Sequence, residues 1–248
     1  MPEVRFNVPG RVALVTGGSS GIGRAIALGL AGIGIQVGVA DKDADGLASA
    51  TAAIQSRGSR AYGLVADVAQ FADVQRMVDE VSERLGPIDI LVNCAGIFPR
   101  SPVAEMAEAE WDRVLATNLK GVFLTSRAVL PAMIARKHGR IVSITSGLAI
   151  TGSSRGAHYT ASKGAIDAFT RSLAKEVADN GINVNAIAPG LTDTPMMRGA
   201  NSAEYIAAVA KTMPGGRLGQ PEDVVGLVLF LVSEGAKDIT GQVIVFRG

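Results

Sequence analysis

Val12-Ala13-Leu14-Val15-Thr16-Gly17-Gly18-Ser19-Ser20-Gly21-Ile22-Gly23 is the stretch that decides the fold. A short apolar run ends in a glycine-rich turn, and the sequence after the turn opens a helix. Glycines at such a turn allow a sharp bend and let backbone N–H groups approach a pyrophosphate at the helix N-terminus. The spacing is G-x-x-x-G-x-G rather than G-x-G-x-x-G, so the turn alone is a weak match to a dinucleotide fingerprint. Asp41 strengthens it, at the end of the second apolar run and 20 residues after Gly21. A carboxylate there accepts hydrogen bonds from a ribose 2′-hydroxyl and repels a 2′-phosphate. The plainer alternative is a strand-to-helix turn followed by an acidic helix start. Strand, glycines and acid all sit where the mechanism requires, which argues against it.

Apolar runs recur at Ile35–Ala40, Ala61–Val65, Ile88–Val92, Arg140–Ile144, Ile182–Ile187 and Gln242–Val245. Most are nearly continuous rather than alternating, the pattern of strands buried on both faces of a parallel sheet. Amphipathic segments lie between them; Val74, Met77, Val78, Val81 and Leu85, for example, recur at helical spacing. The alternation predicts an α/β fold, either a doubly wound sheet or an eight-fold barrel. Seven strands rather than eight favour the open sheet. The expectation is a single Rossmann-type doubly wound domain over residues 1–248, with a seven-stranded, mainly parallel sheet. The one break in the rhythm is Pro189 to Pro221, rich in Gly, Pro, Thr and Met around a short helical piece at Ala203–Ala210. A long irregular insertion after a strand is usually a binding loop, so residues 191–216 are expected to form a substrate lid.

Composition narrows the function classes. Of 248 residues, 48% are hydrophobic and 30 are glycine, without a collagen period, which excludes a disordered or fibrous chain. With 24 basic and 23 acidic residues the formal charge is +1, giving no drive toward nucleic acid or an anionic membrane surface. The single cysteine, Cys94, excludes an internal disulfide. Met1-Pro2-Glu3-Val4-Arg5 lacks the order of a signal peptide, and the longest uncharged run, 16 residues between Arg24 and Asp41, is too short to span a membrane. A cytoplasmic location is expected. Two motif look-alikes fail. Gly17–Gly21 satisfies G-x-S-x-G but lies on the first strand, and Asp41–Gly46 begins like a calcium loop but has Ala52 where a Glu is needed. No metal site is expected.

Tyr159 and Lys163 are four residues apart in a helical segment and share one face. An ammonium beside a phenol favours phenolate and lowers its pKa from ~10 toward the range of a general base. Ser146 lies at the end of the fifth strand, where ligands gather in such sheets. Alone, a Tyr and Lys at this spacing are usually a surface pair; the glycine turn changes that reading.

Taken together these pieces resemble the classical short-chain dehydrogenase/reductase (SDR) family over essentially the whole chain. They are Thr16-Gly17-x-x-x-Gly21-x-Gly23, Asp67-Val68, Asn93-Cys94-Ala95-Gly96, Asn118 within Thr117–Gly121, Ser146 thirteen residues before Tyr159-x-x-x-Lys163, and Pro189-Gly190. The resemblance implies a catalytic set of Asn118, Ser146, Tyr159 and Lys163, with Asn118 holding a water in a proton relay with Lys163. It implies a coenzyme site of Gly17, Ser19, Ser20, Gly21, Ile22, Gly23, Asp41, Asp67, Val68, Asn93, Ala95, Gly96, Tyr159, Lys163, Pro189, Gly190, Thr192 and Thr194. Asp67 would lie near the adenine, and Pro189, Gly190 and Thr194 along the nicotinamide and pyrophosphate. It also implies a homotetramer. There are departures. Cys94 replaces a second Asn and reads as a neutral buried residue, Thr192 replaces an aliphatic one, and the tail ends Val245-Phe246-Arg247-Gly248 instead of Asp-Gly-Gly.

The implied activity is NAD(H)-dependent interconversion of a secondary alcohol and a ketone, with a small-molecule substrate. An NADPH-dependent 3-oxoacyl-thioester (acyl-carrier-protein) reductase is the alternative. NAD is favoured over NADP by Asp41, although Lys42 beside it offsets part of that preference. Phe98, Gly147, Leu148, Met196 and Met197 are expected around an apolar pocket mouth. Arg24, Lys42, Arg136, Lys137 and Arg140 are read as a solvated face. Trp111 is read as helix packing and His158 as having no catalytic role.

Overall fold

The apolar runs do become strands, buried in the middle of the sheet and only partly buried at its two edges, Ala61–Val65 and Val243–Phe246. The computed structural model describes residues 7–199 and 201–246. In chain order its elements are β1 (Val12–Thr16), α1 (Gly21–Gly32), β2 (Gln36–Asp41), α2 (Ala44–Gln55), β3 (Ala61–Val65), α3 (Phe71–Leu85), β4 (Ile90–Asn93), α4 (Glu108–Leu115), α5 (Gly121–Arg136) and β5 (Gly139–Ile144). There follow α6 (Leu148–Thr151), α7 (Ala157–Val177), β6 (Ile182–Pro189), α8 (Pro195–Gly199), α9 (Ala203–Ala210), α10 (Val225–Val232) and β7 (Val243–Phe246). The strands form one seven-stranded sheet in the order β3-β2-β1-β4-β5-β6-β7, and every pairing is parallel. The expected fold class is therefore present. The N-terminal segment Met1–Arg5 and the terminal Arg247-Gly248 lie outside the described residues.

Alternation along each strand supplies two hydrophobic layers. Val12 and Leu14 of β1 pack with α3, α5 and α7, through Met77, Val129 and Leu173 among others. Ala13 and Val15 face the other way, onto α1, α2 and α10, through Ile26, Ile54 and Val228. Each fully buried Leu, Ile or Val contributes about 1.5–3 kcal/mol, so the sheet is held from both sides. Gly38 shows how close that packing is. A Cβ there would stand 2.7 Å from the Val81 side chain, so its absence lets α3 sit directly on β2.

The strand order reverses between β1 and β4, and the loops after these two strands meet. A Cβ on Gly17 would lie 2.6 Å from the Ala95 backbone, and Gly17 has φ +66, a region that glycine enters without strain. A crevice at the carboxyl ends of strands at such a switch point is where open α/β sheets bind ligands.

The basic residues read as a solvated face are only partly so. Arg140 is 5% exposed, its guanidinium donating to the Gly139 carbonyl at 3.0 Å and lying 3.6 Å from Glu234. Arg136 donates to the Ile88 carbonyl at 2.7 Å. Both arginines brace the lower edge of the sheet through backbone carbonyls, a partner that charge patterning does not reveal. Trp111, read as helix packing, stands 36% exposed on α4.

Candidate active site

One large cleft, of about 1450 Å³, runs along the carboxyl edge of the sheet. At one end lies the glycine turn. Gly17, Ser19, Ser20, Gly21, Ile22 and Gly23 all line the cleft. A Cβ on Gly23 would overlap the Gly17 carbonyl, so glycine is what lets α1 start so close to β1. No side chain caps the start of α1, and no acidic residue occupies its first turn. Its N–H groups and the positive end of its dipole are therefore left to attract an anion.

Asp41 closes this end. One carboxylate oxygen accepts from Ser19 N at 3.1 Å, the other from Lys42 N at 2.7 Å and Asp43 N at 3.2 Å. These bonds fix the charge at the mouth of the turn. The Lys42 ammonium points elsewhere and pairs with Asp67 at 3.0 Å. Asp67, Val68, Ala95, Gly96, Pro189, Gly190, Thr192 and Thr194 line the cleft as well. Thr194 reaches back to the glycine turn, its Cγ2 standing 3.3 Å from where a Gly21 Cβ would be.

At the other end Ser146, Tyr159 and Lys163 converge. Tyr159 and Lys163 project from one face of α7, as their spacing requires, and both are buried. Ser146 lies two residues beyond β5, not on its last residue as expected, and its hydroxyl accepts from Leu148 N at 3.1 Å. The Lys163 ammonium sits 5.7 Å from the Tyr159 ring centroid and donates to the Ile144 carbonyl at 2.7 Å. Burial pushes the Tyr159 phenol up to about 12, with the nearby Ser146 hydroxyl countering part of the rise. Burial also pulls Lys163 down to about 8. The expectation that Lys163 lowers the phenol is thus not met in this arrangement, because desolvation dominates both groups and the ammonium is engaged with a carbonyl.

Asn118 is fully buried in a single π-helical turn, Ala116–Lys120, between α4 and α5. Such turns often mark functional sites. Its side chain accepts from Ile97 N at 2.8 Å and donates to the Ile97 carbonyl at 3.0 Å and to Ser162 Oγ at 3.1 Å. It therefore clamps the loop after β4 against α7, and it does not itself line the cleft. Gly96 lies between it and Lys163; a Cβ there would be 3.3 Å from Asn118 Oδ1 and 3.6 Å from Lys163 Nζ.

Asn93 is the one expected coenzyme residue placed away from the cleft. It is buried at the end of β4, accepting from Thr125 Oγ1 at 2.7 Å, so it ties α5 to the sheet. Cys94 does line the cleft, and burial pushes its thiol up to about 11, so it is neutral as expected. Phe98, Gly147, Leu148, Met196 and Met197 all line the mouth. His158 is buried beside Tyr159 and bonds Glu110 at 3.2 Å, away from the cleft. Two features were not legible beforehand. Phe98 stacks on Tyr159, with ring centroids 4.0 Å apart, and Arg100 lines the same end. Arg100 follows Gly96 by only four residues, and that nearness was the one available signal.

Residues 11–205 match the family described as short chain dehydrogenase. The chain belongs to that family. A 3-oxoacyl-(acyl-carrier-protein) reductase of Escherichia coli (strain K12) is 39% identical over 244 residues, 98% of each chain. A hydroxy(phenyl)methyl-succinyl-CoA dehydrogenase subunit of Thauera aromatica is 38% identical, covering 98% of this chain and 97% of that one. Among solved structures, a variant actinorhodin polyketide ketoreductase with NADPH superposes with a TM-score of 0.92 at 37% identity, covering 96% of each chain. Levodione reductase superposes with a TM-score of 0.92 at 34% identity, covering 98% of each. The protein is accordingly an oxidoreductase of the short-chain dehydrogenase family, which uses a nicotinamide coenzyme. Among the described residues no cluster of metal-ligating side chains occurs, and no described helix is long and apolar enough to cross a membrane.

Proposed function

We propose that the protein is an NAD(H)-dependent oxidoreductase that interconverts a secondary alcohol and a ketone, with Tyr159 transferring the proton. The observation that carries this reading is a single cleft with Ser146, Tyr159 and Lys163 at one end and the glycine turn with Asp41 at the other. The uncapped, acid-free start of α1 fits a pyrophosphate, and the cradle that Cβ atoms on Gly17 and Gly23 would fill fits its close approach. Asp41 would hold the adenosine ribose with Ser19 and Ser20 beside it, and Asp67 and Val68 would flank the adenine. Ala95 and Gly96 would form the wall, and Asn93 would support it from the core. Pro189, Gly190, Thr192 and Thr194 would lie along the nicotinamide and pyrophosphate. When bound, the coenzyme supplies or accepts the hydride.

The chain's own residues handle the proton. Ser146 donates a hydrogen bond to the substrate oxygen and orients it toward Tyr159. Tyr159 takes the hydroxyl proton in oxidation and returns it in reduction. A phenol near 12 is a poor base at neutral pH. Lys163 is protonated below about 8 and favours the phenolate once its ammonium turns from the Ile144 carbonyl toward the phenol. Asn118 positions the loop that faces Lys163. Residues 191–216, carrying α8, α9 and the cleft residues Met196, Met197 and Tyr205, act as the lid over substrate. The whole chain acts as one domain, as a cytoplasmic homotetramer; exposed Phe123 and Ile134 on α5 and Val245 on β7 offer apolar contact surface.

The test is Tyr159→Phe. Turnover of secondary alcohols should fall by at least ~10²-fold while NADH still binds, because only the transferable proton is lost. Retention of more than a tenth of the wild-type rate, with chemistry limiting, would overturn the assignment. A second reading, an NADPH-dependent 3-oxoacyl-thioester reductase, is favoured by the E. coli relative's name and shares every catalytic residue. Comparing kcat/KM for a 3-oxoacyl thioester with NADPH against simple ketones with NADH separates the two.

A further inference from the structure

We propose that Arg100 is a specificity residue that selects substrates carrying a carboxylate, so that the oxidised substrate is a hydroxy acid and the product an oxo acid. This rests on the function proposed above. Arg100 lines the cleft at the Tyr159 end, and it is half-buried. Its guanidinium carbon lies 5.3 Å from the Phe98 ring centroid, and the Phe98 ring stacks 4.0 Å from the Tyr159 ring. The cation is therefore held beside the ring that stacks on Tyr159. Phe98 is itself fixed in place: a Cβ on Gly156 would stand 2.5 Å from its ring, so only glycine leaves room for the stack.

The second observation is chemical. Arg100 Nε is buried and has no hydrogen-bond partner. Among the described residues no carboxylate pairs with its guanidinium, whereas Arg136, Arg140, Arg198 and Arg217 each have an acidic partner. A buried N–H without an acceptor is costly to leave, so a site that holds one by the ring stacked on Tyr159 favours a ligand that supplies the acceptor. Among the described residues, the one other charged residue at this end is Lys163, whose ammonium is engaged with the Ile144 carbonyl at 2.7 Å; Leu148, Ile150, Met196, Met197 and Thr212 are uncharged. The acidic residues lining the cleft, Asp41, Asp43 and Asp67, stand at the adenosine end. Arginine's planar fork matches a carboxylate in two parallel bonds, and such charge-assisted pairs are strong in a half-desolvated cleft.

The experiment compares wild type, Arg100→Met and Arg100→Lys on secondary hydroxy acids of stepped chain length, each beside its methyl ester, with NAD. We expect the wild type to prefer the acid at the best length. Arg100→Met should lose roughly ten- to a hundredfold in kcat/KM for that acid, mainly through KM, and little for the ester. Arg100→Lys should restore part of the loss. A wild type that prefers the ester at every length overturns the proposal, as does an equal loss on acid and ester. Thioester substrates form a separate arm, with 3-oxoacyl-CoA beside the 3-oxoacyl thioester of neutral N-acetylcysteamine. If Arg100→Met impairs the CoA thioester alone, the guanidinium serves a carrier phosphate and the carboxylate assignment fails. Absence of turnover on acids, esters and thioesters alike, with NADH binding intact, would instead refute the proposed function, and this inference with it.

Discussion

Replacing Asp41 by Asn removes the charge while keeping one acceptor oxygen for the Lys42 and Asp43 N–H groups, at the loss of the second oxygen, to which Ser19 N donates. A 2′-phosphate on the adenosine ribose would bring nearly two negative charges within a few ångströms of the wild-type carboxylate. At ~4 Å, each unit pair repels by about 1 kcal/mol in bulk water and about 4 kcal/mol at an effective dielectric of 20. Asp41 is half-buried and its neighbourhood wet, so the low end applies, giving roughly 2–4 kcal/mol for the dianion. At 1.4 kcal/mol per decade that is a preference of roughly 30- to 700-fold for NAD over NADP in kcat/KM. Lys42 does not rescue NADP, because its ammonium is tied to Asp67 at 3.0 Å. The assay is steady-state kinetics with both coenzymes at two ionic strengths. Asp41→Asn should shrink the ratio to within about tenfold, and added salt should shrink it in wild type but not in the variant. Combining Asp41→Ala with Ser20→Arg, at an exposed position on the same turn, should reverse it. A wild type that prefers NADP(H), or a ratio unmoved by Asp41→Asn, would refute the argument and promote the thioester-reductase reading.

Gly23→Ala should lower NADH affinity at least tenfold in a fluorescence titration, since its Cβ overlaps the Gly17 carbonyl; Gly32→Ala in the same helix, with open space around the Cβ position, should bind normally. Equal affinities would show that the start of α1 has room to move. Lys163 should be a stability liability. Its folded pKa of about 8 lies below the usual 10.5, so the unfolded chain holds the proton more tightly. The penalty is therefore present in full below pH ~8 and is relieved as pH rises from ~8 toward 10.5. Lys163→Met should thus lose turnover, yet its Tm relative to wild type should be most favourable near pH 7 and decline above pH 8. A Tm difference that is flat with pH would mean the ammonium is not desolvated.

The fold was legible because its causes are local and repeated. Val12–Val15 is a continuous apolar run, which only a sheet covered on both faces can bury, and it is such a strand. Boundaries moved by one or two residues. β4 starts at Ile90, not Ile88, although the Asp89 backbone still bonds to Val12 and Arg140 at 2.9 Å each while its side chain accepts from Arg11 N at 2.7 Å. The π-helical turn at Asn118 carried no propensity signal, and only the resemblance pointed to that residue. Arg140 was misplaced because its burial is decided by what packs across it, and charge alone does not report that.

The two ends of the cleft differed in legibility for a structural reason. The coenzyme end is built at the tips of β1, β2, β3, β4 and β6, so each residue there is fixed by its place relative to a strand, and glycine spacing plus one acid is enough to find it. The substrate end is built from three loops far apart in sequence: Phe98 and Arg100 after β4, Gly147 to Ser154 after β5, and Leu191 to Met213 after β6. No periodicity links these loops; only the sheet brings them together. Even the phenol's behaviour belongs to that assembly. The Tyr159–Lys163 spacing suggested a lowered pKa, but the loops and the Phe98 ring that cover the pair exclude water, and desolvation outweighs the neighbouring charge. The chemistry at this end therefore depends on what enters to replace the excluded water. Among the residues lining this end, Lys163 is engaged with the Ile144 carbonyl. The buried Arg100 Nε is the donor left there without an acceptor.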